Sequence, residues 1–114
     1  MFPKVAVASD AALTRPQATR LAIMAQDGLA RAIFPAHTPL DGDIVFVAAT
    51  GARPLADPVR DLMRIGTFAV QVVARAIAPG VYEATALPVS VVGTLTGARG
   101  GDQPLPAWRD AFGA

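Results

Sequence analysis

The sequence predicts an α/β domain with the element order strand, helix, strand, helix, followed by an irregular tail. Three observations carry that expectation. Two short apolar stretches, KVAVA at Lys4 to Ala8 and DIVFVAAT at Asp43 to Thr50, read as strands. Two longer segments repeat apolar residues at spacings of three and four, the period of a helix with one buried side. Each of those segments follows a helix-starting signal, Thr14 with Gln17 in the first case and Asp57 with Pro58 in the second.

The first strand alternates Val5 and Val7, and Ser9-Asp10 supplies its stop. In the stretch TRPQ, the Thr14 hydroxyl can accept from a first-turn N–H, Pro16 needs no donor there, and Gln17 can reach back to Thr14. A helix is therefore expected over Arg15 to Ala32, with Ala18, Leu21, Ala22, Ala25, Leu29 and Ala32 inward and Arg15, Thr19, Gln26 and Arg31 elsewhere. Gly28 inside it marks an expected close approach of helix to sheet. Phe34 to Gly42 is a Pro-punctuated loop. The stretch after it is apolar on both faces, as in a central strand covered above and below. The second helix runs from Pro58 to about Ala78, with Arg60, Arg64, Gln71 and Arg75 on a solvated stripe. Val59, Leu62, Gly66, Ala69, Val73 and Ile77 lie opposite. Pro79-Gly80 is expected to end or kink it, with a short helical turn resuming in 81–87. These elements make a domain over 1–90. The remainder, 91–114, reads as a Gly- and Pro-rich irregular tail anchored by Trp108 and Phe112. Two strands do not make a stable sheet alone, so something else must pair with them and cover their second face.

Composition narrows the function. Hydrophobic residues make up 53% of the 114 and charged ones 17%, the reverse of a chain that stays unfolded. A core of this size buries roughly 65% of the unfolded surface, which fits one small domain or part of a larger one. Ten Lys and Arg against nine Asp and Glu leave a net charge of +1, with no basic run to track phosphates, so nucleic acid is not an expected partner. Without Cys there are no disulfides or thiolate metal sites, and with one His any metal site would rest on carboxylates. No cofactor is expected. The N-terminal apolar run is broken by Ser9 and Asp10, too weak for a secretory segment, and no uncharged apolar stretch nears the roughly twenty residues of a membrane span. The expected setting is the cytoplasm.

The residues offer few reactive groups. Asp41-Gly42-Asp43, just before the second strand, can be a Gly-centred turn whose carboxylates cap backbone N–H groups, or a pair of acids serving a reaction. A divalent cation would need more oxygen ligands than this pair, and no calcium-loop spacing follows. His37 reads as a loop residue making an ordinary hydrogen bond, and Gly97 to Gly101 as a connector, since GARGG is not a phosphate-loop pattern. Tyr82, after the helix break, is expected to pack its ring.

Several blocks in order, VAVASDAALTRPQATRLAIMAQDGLARAIFPAHTPLDGDIVFVAATG and VVARAIAPGVYEATALP, resemble the C-terminal part of the DmpA-type aminopeptidases. That family includes L-aminopeptidase/D-esterases, β-aminopeptidases and nylon-oligomer hydrolases. The resemblance covers about Val5 to Leu87. It implies half of an αββα sandwich, corresponding to the small β chain of a precursor that cuts itself into α and β chains. It also implies an N-terminal Ser or Thr that attacks the substrate carbonyl, with its own amino group as base. Asp41 and Asp43 match the acids that support that nucleophile, and counting back brings the nucleophile position to Phe2, which has no hydroxyl. The chain alone is therefore expected to be inactive. It would hydrolyse N-terminal amide bonds of peptide-like substrates only when completed by a separately encoded α-chain-like subunit, or it would associate with copies of itself. The alternative is a non-catalytic oligomerising or small-ligand-binding module that kept the scaffold.

Overall fold

A computed structural model describes residues 4–86 and 106–113. The chain divides into two compact units, Met1–Ile77 and Ala78–Ala114. The first holds the strand–helix–strand–helix order that the sequence predicts: β1 (Lys4–Ala11), α1 (Arg15–Ala32), β2 (Ile44–Arg53) and most of α2 (Pro58–Tyr82). The strands pair in parallel, Lys4 opposite Ile44 and Val7 opposite Val47, with α1 as the crossover that a parallel pair requires.

α1 starts where its cap dictates. The Thr14 hydroxyl accepts from the Gln17 N–H, and the Gln17 side chain accepts the Thr14 N–H at 2.8 Å. Its inward side buries Leu21, Ala25, Gly28 and Leu29, with Ala18 and Ala22 half-buried; Ala32, expected inward, is exposed because the helix ends there. α2 buries Gly66, Ala69 and Val73 against the same cluster, and Leu62 and Ile77 lie at its border. Val59 departs from expectation at 80% exposed, since its position in the first turn extends beyond the packed stretch. Gly28 does allow a close approach, but to α2 instead of the sheet: a Cβ there would lie 2.6 Å from the Val70 carbonyl oxygen and 2.7 Å from the Val73 Cβ.

Three boundaries differ from the sequence reading. β1 runs on to Ala11, past the expected stop at Ser9-Asp10, and β2 runs to Arg53, past Thr50. α2 continues through Pro79 to Tyr82, because a proline so near a helix end removes one hydrogen bond and interrupts little beyond it. By length and apolar composition α2 could cross a membrane, yet its small residues are buried on α1.

The largest difference concerns the sheet's second face. Val5, Val7, Val45 and Val47 are half-buried beneath the helices, whereas the alternate residues Lys4, Ala6, Ala8, Ile44, Phe46 and Ala48 are exposed. Among the described residues β2 is thus covered on one side only, and each strand keeps an unpaired edge.

In the second unit, residues Trp108–Phe112 form a short helix, α3, around the two aromatic residues expected to anchor the tail. The Asp110 carboxylate accepts the Ala107 N–H at 3.3 Å and caps it. Trp108 stacks obliquely between Tyr82 and Phe112, at 6.0 and 5.9 Å between ring centroids, and Arg109 lies 5.1 Å from the Tyr82 ring centre while contacting Glu83. Trp108, Phe112 and Tyr82 therefore pack as the sequence suggests.

Candidate active site

Parallel pairing brings the starts of β1 and β2 to one end of the sheet. Ile44 pairs with Lys4, so Asp43, one residue earlier, stands at the end where β1 begins. Asp41 precedes it in a turn built by Thr38-Pro39-Leu40-Asp41. The Asp41 N–H donates to the Thr38 carbonyl at 3.0 Å, and the Thr38 N–H donates to the Asp41 Oδ2 at 2.6 Å. Proline suits the second position of such a turn, and a carboxylate that accepts a backbone N–H stiffens it. One carboxylate oxygen of Asp41 is thus engaged in local structure, and the other has no hydrogen-bond partner among the described residues; the turn centres on Pro39 and Leu40, ahead of Gly42. Asp43 is half-buried, and its carboxylate makes no hydrogen bond or ion pair among the described residues. Phe2, the position matched to a nucleophile, lies outside the described residues, as do Gly97 to Gly101.

His37 has a positive φ of 58° and its Nδ1 lies 3.5 Å from Gln26 Nε2, the ordinary contact expected of it. Arg60, Arg64 and Arg75 are all exposed, and Arg60 pairs with Asp57 at 3.5 Å. Among the described residues no cluster of three or more His, Asp and Glu side chains is placed to hold a metal ion.

Sequence reasoning missed the opposite end of the sheet, where Ser9, Asp10, Arg53 and Phe68 line a cavity. The available signal was Gly51 inside an apolar strand, which marks a bulge. Gly51 has φ 76°, and around it the pairing jumps from Ser9 opposite Ala49 to Ala11 opposite Arg53.

Fold and site together define a βαβα domain with an acidic turn where its strands begin. Residues 4–92 match the model of peptidase family S58, and the chain belongs to that family. It is 43% identical over 116 residues to uncharacterized aminopeptidases of Mycobacterium bovis and Mycobacterium tuberculosis, covering 93% of this chain and 29% of each relative. An uncharacterized aminopeptidase of Mycobacterium leprae is 63% identical over 46 residues, 40% of this chain and 13% of the relative. The chain thus spans less than a third of the length of these relatives.

Proposed function

We propose that this chain is the β-chain-like, C-terminal part of a DmpA-type aminopeptidase, half of an αββα sandwich that hydrolyses N-terminal amide bonds of peptides once an α-chain-like part completes it. The observation that carries this reading is the bare sheet face. Ile44 and Phe46 are 42% and 56% exposed on it, and among the described residues the outer strand edges have no partner. At about 25 cal/mol per Å² of apolar surface, covering such a face is worth several kcal/mol, and a second sheet does so most completely. The relatives' greater length supports the same reading, because it leaves room for that sheet.

In this reading Asp41 and Asp43 support the reacting group from the strand-start end. Phe2 occupies the nucleophile position without a hydroxyl, so the attacking group must come from the completing part or from a residue upstream of Phe2. Alone the chain is inactive, since an acid pair without nucleophile and oxyanion donors retains little rate. No cofactor takes part, and we assign the complex to the cytoplasm, in keeping with a chain free of Cys.

Co-expression with an α-like polypeptide, followed by assay on amino-acid p-nitroanilides and short peptides, tests the proposal. Turnover by the purified complex and none by the chain alone is expected. A well-formed complex without turnover rejects it. The missing Phe2 hydroxyl favours one other reading, an oligomerising or ligand-binding module without catalysis. That reading predicts a defined homo-oligomer in solution and no complex with an α-like chain.

A further inference from the structure

A cavity of about 310 Å³ lies where β1 and β2 finish, at the opposite end of the sheet from Asp41 and Asp43. Its size is at the lower limit of small-molecule pockets, about 300 Å³, and ligands of open parallel sheets gather outside the strands' C-terminal ends. The bulge at Gly51 lies just before Arg53, Pro54 and Leu55, which line one wall. Past it the Ala12 N–H donates to the Arg53 carbonyl at 2.7 Å, and Arg53 Nε meets Asp10 Oδ2 at 2.8 Å. Leu55, Ile65 and Phe68 supply apolar surface, with Phe68 65% exposed.

Two acids and two bases line the cavity, and they are engaged to different degrees. Asp10 is neutralised by Arg53, and Asp61 Oδ2 is engaged by the Ala56 and Asp57 N–H groups at 2.9 and 3.1 Å. Arg64 has no ion-pair partner among the described residues. Ser9 Oγ accepts the Ala11 N–H at 3.2 Å, so its own proton is available to donate. Left over beside the apolar surface are the Arg64 guanidinium and the Ser9 hydroxyl as donors, and Asp61 Oδ1 as an acceptor among the described residues. We propose that this cavity binds a small carboxylate with an aromatic or branched apolar body. Arg64, whose planar fork matches a carboxylate, and the Ser9 hydroxyl hold the head group, and Leu55, Ile65 and Phe68 seat the body. The proposal does not depend on the chain's being part of a hydrolase.

The test is an amide-resolved NMR titration of the full chain, in whatever assembly it purifies, with 4-phenylbutyrate and its neutral analogue 4-phenylbutanol. The expected result is saturable shifts at Ser9 to Ala12, Leu55 and Phe68 with the acid. The alcohol should bind at least about tenfold more weakly, the factor of a lost charge-assisted hydrogen bond. Arg64→Gln, on an exposed helix position, should lower the acid's affinity by a similar factor, and Phe68→Ala should weaken both ligands. Shifts that do not saturate, equal affinity for acid and alcohol, or unchanged binding by Arg64→Gln overturns the proposal.

Discussion

The two faces of the small sheet have nearly the same chemistry and opposite surroundings. On one, Val5, Val7, Val45 and Val47 lie beneath α1 and α2, whose Leu21 and Leu29 are 0% exposed. On the other, Ala6, Ala8, Ile44 and Phe46 meet solvent. A strand selected for one buried face alternates apolar with polar residues, and β2 does not: IVFVAA is apolar throughout. The covered face holds the domain together, and under the proposed function the face left bare among the described residues is the one a completing part covers.

If that division is right, substitutions under the helices should cost stability, and substitutions on the bare face should not. Leu29→Ala is the largest expected loss, about 2 to 5 kcal/mol from lost burial and the cavity left behind, measured by urea denaturation. Gly28→Ala comes next. Its new Cβ would meet the Val70 backbone oxygen at 2.6 Å, which no side-chain rotation relieves, so about 1 to 3 kcal/mol is expected despite alanine's better helix propensity. Gly66→Ala sharpens the point. There the added carbon meets the flexible end of Met24, which can move, so the change should be close to neutral and clearly milder than at Gly28. Equal losses at both glycines would mean that α1 and α2 do not pack as described.

Local signals were legible in the sequence, and long-range ones were not. Thr14, Pro16 and Gln17 fix the start of α1 through atoms within one turn, and the helix begins at Arg15 as their chemistry requires. The burial of Leu21, Ala25, Gly66, Ala69 and Val73 follows from helical periodicity, and only a near neighbour is needed to satisfy it. Which element Gly28 would meet was not readable, because a glycine reports a close approach without naming what approaches. The run of β2 past Thr50 escaped notice because a glycine bulge resembles a strand end when the pairing partner is unknown. At the candidate site, the acidic turn stood out as a pattern. That Thr38 and Pro39 build it, with Asp41 closing it, depends on a backbone hydrogen bond that residue types alone do not announce.

Thr14→Ala continues the descending series on the covered side. It removes the reciprocal cap of α1 and should cost about 1 kcal/mol, seen as a lower urea midpoint with an unchanged slope.

The smallest expected effect on folding is the most informative about the bare face. Phe46 is 56% exposed and projects away from the buried cluster, so Phe46→Asp should change the stability of the separated chain by no more than about 0.5 kcal/mol. The same carboxylate placed against an apolar partner surface would be desolvated without a counter-charge, which costs far more than the lost contact area. Sedimentation velocity should therefore find the variant shifted toward monomer relative to the parent chain, and its affinity for a completing α-like polypeptide lowered by at least about tenfold, or 1.4 kcal/mol. Unfolding of the variant by several kcal/mol would instead place Phe46 inside the domain's own core. Association undiminished by the charge would move the contact surface off this face, to the open strand edges alone.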